Sequence, residues 1–327
     1  MSNAATHTND LTKRADVGYY LSQYATIGAL LLVFLIFSAV ADRFLDTTNL
    51  LNVVRQVSTL AIVAFGMTIA MASGDFDLSV GSVAGLAGVI ITGMLTNGYS
   101  LAIALVASLA VGVVFGLLNG VITTRVGIPS IIVTLGTSSV ATGIIFMYTE
   151  GRAVYGGLPD AFTVLGRGNV IGLPTPIIIM LVIGVAVYIL LNKTTTGRYI
   201  YAVGGNAVSA KLSGINTLKY RTLGLILSGS GAAIAGIVLA ARLGSGQPTA
   251  GASFLLDGLA AVFLGMTTIK VGQPNVLGTV VGVLLIGIIN NGLNLLGLPF
   301  YVQDIAKGII MVGAVAFAAR KNELKFF

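Results

Sequence analysis

The segment Val203-Gly204-Gly205-Asn206-Ala207-Val208-Ser209-Ala210-Lys211-Leu212-Ser213-Gly214-Ile215 holds the residue types most suited to work on another molecule. It is short, glycine-punctuated and potentially helical, and it lies in a basic loop between long apolar runs. A solvated connector is the plain reading of such a loop. Ala207, Ala210, Leu212 and Ile215 make this one too apolar for that, so with Gly204, Gly205, Asn206, Ser213 and Gly214 it reads as a docking surface for a soluble partner. A second group is Ser73-Gly74-Asp75-Phe76-Asp77-Leu78-Ser79-Val80-Gly81-Ser82. Asp77 ahead of Leu-Ser-Val reads as a helix start, its carboxylate capping free amides at the positive dipole end. The alternative makes this stretch a gate hinge or partner contact. Asp257 in an apolar run costs about 3 kcal/mol near a helix centre in lipid. It therefore sits near an interface, caps a helix, faces protein or lines a permeation path. Asn290, Asn291 and Asn294 cluster in another apolar run, and Asn290 and Asn294 share a face by i,i+4 spacing. Amides there act as interhelical glue or line a route for a neutral polyhydroxylated substrate.

Other chemistries lack their residues. The chain has no cysteine, which excludes disulfides, thiolate metal sites and cysteine nucleophiles. His7, its single histidine, lies in a polar N-terminal tail, and no Walker A run supplies a phosphate-cradling loop. A carrier driven by protons or sodium needs ionisable groups in its helices. This chain offers Asp257, Lys307 and, at a span boundary, Asp75 and Asp77. That poverty points to energy supplied from elsewhere.

The elements that must position these groups follow from composition. Of 327 residues, 56% are hydrophobic and 9% charged, against about a quarter charged in soluble domains, so the chain reads as an all-α polytopic membrane protein. Its 43 glycines suit close helix approach in lipid. At about 20 residues per crossing, the apolar runs give about ten transmembrane helices: 22–41, 57–73, 78–96, 101–121, 129–148, 176–191, 222–241, 254–269, 277–296 and 302–319. Polar tails cover 1–21 and 320–327, and a single transmembrane domain fills 22–319. A polar tail of over twenty residues argues for an uncleaved first helix, although Ala39-Val40-Ala41 fits a signal-peptide cleavage pattern.

With both termini inside, the inner segments hold Lys13, Arg14, Arg125, Lys193, Arg198, Lys211, Lys219, Arg221, Lys270, Arg320, Lys321 and Lys325. The outer ones hold Arg43, Arg55, Arg152, Arg167 and Arg242, so the tally is twelve against five. That bias sets N and C termini cytoplasmic, with loop 192–221 inside and the long polar loop 149–175 outside. It also accounts for the net charge of +7 without nucleic acid. Span directions imply an inverted pseudo-repeat of spans 2–5 and 7–10, a common transporter device.

Gly74-Asp75-Phe76-Asp77-Leu78-Ser79-Val80-Gly81-Ser82 resembles the Gly-Gly-Ile-Asp-Leu-Ser-Val-Gly-Ser signature of monosaccharide-type ABC permeases. Thr196-Gly197-Arg198-Tyr199-Ile200-Tyr201-Ala202-Val203-Gly204-Gly205-Asn206, continuing to Asn216, resembles their cytoplasmic coupling loop. Ala241-Arg242-Leu243-Gly244-Ser245-Gly246-Gln247-Pro248-Thr249-Ala250-Gly251 and Asn290-Asn291-Gly292-Leu293-Asn294-Leu295-Leu296-Gly297 are similar to ribose permeases. The resemblance spans about 25–319. It departs at Asp75, an added carboxylate, and at 264–275, where most of the family's glycines are absent and Pro274 is present. The resemblance implies a sugar importer subunit of the bacterial inner membrane, paired with a second permease subunit, identical or related. A cytoplasmic ATPase would carry ATP and Mg, with no cofactor or metal on this chain, and a periplasmic binding protein would deliver the sugar. Asp75, Asp77, Gln247, Asp257, Asn290, Asn291 and Asn294 would then line the path or gate. A stand-alone secondary carrier and a passive facilitator are the rival readings.

Overall fold

In the computed structural model, the described residues are 24, 26–170, 172–299, 301–309 and 312–313. The expectations for the tails 1–21 and 320–327, and for most of the ends of the first and tenth spans, lie outside them. The architecture is helical: α1 (Thr26–Val40), then α2 (Thr47–Ala72), α3 (Val80–Thr96), α4 (Leu101–Val121), α5 (Ser130–Thr149), α6 (Asp160–Arg167) and α7 (Thr175–Lys193). There follow α8 (Thr195–Gly205), α9 (Ala207–Leu212), α10 (Thr217–Leu243), α11 (Ala252–Met266), α12 (Val276–Leu295) and α13 (301–309). Among the described residues, six helices are long and apolar enough to cross a membrane.

The chain divides into two units. In the unit Asp46–Leu259, α10 packs against α2, α3 and α4. Small residues make this possible. A methyl group at Gly112 of α4 would overlap the Gly229 carbonyl of α10, and one at Gly229 would overlap the Gly112 carbonyl. Such backbone-to-backbone approach maximises dispersion where lipid supplies no hydrophobic drive. α4 ends in a π-helical turn, Ile122–Val126, closed by left-handed Gly127 (φ 81°). α2 begins ten residues before the expected span start at 57, because its first turns are polar and apolarity alone does not detect them.

The stretch 149–175 is more ordered than a polar loop. Its amphipathic α6 buries Phe162 against Ile91, Leu95, Ala104, Ile237, Ala240 and Ala241, with Leu158 and Leu165 beside it. Two-residue β1 (Val154–Tyr155) pairs antiparallel with β4 (Ser245–Gly246), and β2 (Asn169–Val170) with β3 (Leu173–Pro174).

In the unit formed by residues up to Leu45 and from Ala260, Phe37 packs on Gly292 of α12, where a methyl group would overlap its ring. Thr26 and Thr267 share a 2.5 Å hydroxyl contact. Asn275 caps α12 by accepting from Gly278 N at 2.7 Å. In the turn before it, Ile269 takes the left-handed conformation (φ 61°), which a β-branched side chain resists.

Candidate functional site

The segment 203–215 folds into the end of α8 and the six-residue α9. Asn206 starts α9, its Oδ1 accepting from Ser209 N at 2.8 Å. Left-handed Gly214 (φ 80°) ends it, with Ile215 N donating to Ala210 O at 3.0 Å. Ala210 is buried, whereas Leu212 is 85% and Val208 70% exposed. These two, at i,i+4 spacing, form an apolar stripe facing away from the chain. Gly205, Asn206, Ala207, Ser213 and Gly214 are also exposed, and Ile215 is half-buried.

The segment leans on the end of α2 and the loop after it. A methyl group at Gly204 would overlap the Ala72 carbonyl oxygen, and one at left-handed Gly74 (φ 88°) would sit 3.3 Å from Gly204 Cα. Both carboxylates of the loop are buried: Asp75 is 0% and Asp77 1% exposed. Asp75 accepts two hydrogen bonds from Arg221 of α10, Nη2 at 2.5 Å and Nε at 2.9 Å. This bidentate ion pair is a strong form of charge-assisted bond. It ties the motif loop to the helix that follows the 203–215 segment.

Asp77 meets a free amide, as its sequence position implies, but not as the helix cap. The N-cap of α3 is Ser79, and Asp77 Oδ1 accepts from both Ser79 N (3.0 Å) and Ser79 Oγ (2.5 Å). Ser79 Oγ in turn accepts from Asn119 Nδ2 at 3.0 Å, and Asn119 Oδ1 accepts from Thr137 Oγ1 at 2.6 Å. Burial raises the Asp77 pKa above the ordinary aspartate value, against the lowering pull of the Ser79 and Ser228 hydroxyls. α5 supplies a row of further hydroxyls to this loop and to the first turn of α3. Ser130 Oγ accepts from Phe76 N and Thr134 Oγ1 from Leu78 N, each at 3.1 Å, while Ser82 Oγ meets Ser138 and Thr142 at 2.8 and 3.0 Å.

The other sequence candidates lie apart from this cluster or in the other unit. Gln247 donates to Ser245 Oγ at 3.1 Å and borders a cavity of about 10 Å³, too small for a sugar. Asp257 is buried six residues into α11, so it does not cap a helix that starts at Ala252. In α12, Asn291 is 6% exposed, Asn290 half-buried and Asn294 exposed in the last turn. Sequence reasoning did not find Arg221, Asn119, Val208 or the α5 hydroxyls as partners. Their signals are tertiary, except for the Ser/Thr spacing of α5.

A profile described as "Branched-chain amino acid transport system / permease component" matches residues 49–315. The chain is 41% identical over 297 residues to the ribose import permease protein RbsC of Bacillus subtilis (strain 168), covering 90% of this chain and 92% of that one. It is 38% identical to RbsC of Haemophilus influenzae (strain ATCC 51907 / DSM 11121 / KW20 / Rd), covering 93% and 95%. To the L-arabinose transport system permease protein AraH of Escherichia coli (strain K12) it is 36% identical, covering 99% of each. No solved structure matches the chain. With the family profile matching 49–315 and relatives matched nearly end to end, the chain belongs to the branched-chain amino acid transport system / permease component family.

Proposed function

We propose that this chain is the membrane-spanning permease subunit of a binding-protein-dependent ABC importer for a monosaccharide, ribose or a related sugar, in the bacterial inner membrane. Two permease subunits form the pathway, separate cytoplasmic ATPase subunits hold ATP and Mg, and a periplasmic binding protein delivers the sugar. The termini face the cytoplasm, and spans 2–5 and 7–10 are inversely related. The observation that carries this reading is the near-complete match to relatives named ribose import permeases. The exposed Val208–Leu212 stripe supports it as the ATPase contact.

ATP-driven closure of the ATPases moves 204–216 and shifts the population between inward- and outward-facing states. Asp75, Asp77, Gln247, Asp257, Asn290, Asn291 and Asn294 serve the path or its gate. Asp75 has the clearest mechanical role, because Arg221 makes the α2–α3 loop follow α10. Sugar contacts in the permease are few and weak, which leaves specificity to the binding protein.

Gly205→Trp tests the docking role. Gly205 is exposed and a Cβ there would have no neighbour within 4 Å, so a side chain can leave the backbone at this position without a clash. The variant inserts normally but loses ATPase docking or coupling, read by co-purification and ATP-dependent uptake. Wild-type uptake by Gly205→Trp would remove the segment from the mechanism.

A further inference from the structure

Three arginines from three separate elements meet in one open pocket. Arg55 of α2, Arg167 at the end of α6 and Arg242 in the last turn of α10 line about 370 Å³ together with Asn52, Gln56 and Gly166. The arrangement is built rather than incidental. Gly166 lies so close to α10 that a methyl group there would overlap Arg242 N, and Arg167 Nε donates to the Arg242 carbonyl at 2.7 Å. Among the described residues Arg55 reaches only the Asn52 amide oxygen, at 3.4 Å. Among the described residues no carboxylate pairs with any of the three. Arg55 Nε and Arg242 Nη1 are buried without a hydrogen-bond partner among the described residues. Convergent like charges repel, and a buried donor without a partner carries a desolvation cost. An anion entering the pocket relieves both.

The charge distribution sharpens the point. In the proposed orientation the outer side holds Arg43, Arg55, Arg152, Arg167 and Arg242, and three of these five converge here. Membrane insertion accounts for cations on the inner side and offers no reason for a cluster on the outer one.

We infer that this pocket receives acidic side chains of the soluble binding protein that delivers sugar to the outer face. The inference rests on the importer reading, which supplies that partner. Guanidinium forks match carboxylates in a planar, bidentate way. None of the lining residues carries an apolar side chain, so the pocket offers no seat to a lipid acyl chain. Its open mouth suits a docking protein, and its field would steer that protein into register.

The test uses the complete transporter, permease with its ATPase subunits, in proteoliposomes, with uptake measured against the concentration of its binding protein. Arg167→Gln, Arg55→Gln and Arg242→Gln each raise the half-saturating concentration about tenfold, the plateau being approached at high binding protein. Raising NaCl from about 50 to about 300 mM weakens wild-type docking more steeply than docking of the triple variant. A Glu-to-Lys change on the binding protein that rescues Arg167→Glu would identify the partner carboxylate. Arg167 is exposed, so its variants fold even where Arg242→Gln does not, and Arg242→Lys covers that position. Unchanged half-saturation in every variant overturns the inference. So does a defect that follows the anionic-lipid content of the vesicles, or wild-type competition by inorganic phosphate that leaves binding-protein dependence intact. Absence of ATP-dependent uptake in the wild type would instead sink the importer reading, which keeps the two failures distinguishable.

Discussion

Removing either half of the Asp75–Arg221 pair has unequal consequences. Asp75 is 0% exposed, whereas the Arg221 side chain keeps 29% of its surface accessible. Arg221→Gln strands a buried carboxylate that has lost both guanidinium bonds, at a cost of about 3–5 kcal/mol. Asp75→Asn leaves a cation that can turn toward solvent, at a cost of about 1–2 kcal/mol. The double variant buries no net charge and costs about 1–2 kcal/mol, so the two sites are coupled by about 3–5 kcal/mol. At roughly 2–4 °C per kcal/mol, Arg221→Gln lowers Tm by about 6–20 °C, and adding Asp75→Asn recovers more than half of that. The chain has no cysteine, so one buried cysteine engineered away from the pair, with a thiol-reactive dye, reports thermal unfolding of the detergent-purified permease. Equal losses from the two single variants, or a double variant that loses their sum, would refute the reasoning.

Three further outcomes are expected. Gly204→Val forces a side chain against the Ala72 carbonyl and destabilises by about 1–3 kcal/mol; thermal unfolding should show the loss, and a Tm equal to that of Gly205→Trp would contradict it. Asn206→Ala removes the cap of α9 and costs about 1 kcal/mol locally. Hydrogen exchange at Ser209 should quicken about fivefold while α10 is unaffected. Ile269→Gly relieves the left-handed strain of about 1–2 kcal/mol, less the entropic penalty of glycine, for a small net rise in Tm. A fall in Tm would show that the isoleucine side chain contributes more than its backbone costs.

Helix positions were legible in the sequence, since runs of apolar residues long enough for a bilayer are hard to mistake. Every expected span overlaps a helix among the described residues. What apolarity missed lies at its margins: the polar first turns of α2, and α6, whose eight residues show their apolar pattern only through Phe162 and Leu165, with Leu158 just before it. The 203–215 segment was legible because its composition contradicts its loop setting. The grip on Asp75 was not, because 146 residues separate it from Arg221. Nor could spacing show that arginines at 55, 167 and 242 meet, since helix packing alone sets their convergence.

The hydroxyls along α5 have a consequence for movement. Thr134 accepts the Leu78 amide while donating at 2.8 Å to the Ser130 carbonyl within its own helix. If the loop slips away, the hydroxyl remains engaged and only the amide loses a partner, a loss that the next hydroxyl along the row can make good. A fastening of this kind can be undone and redone one rung at a time. It permits sliding without ever baring a charge to lipid, which the guanidinium clasp at Asp75 cannot do.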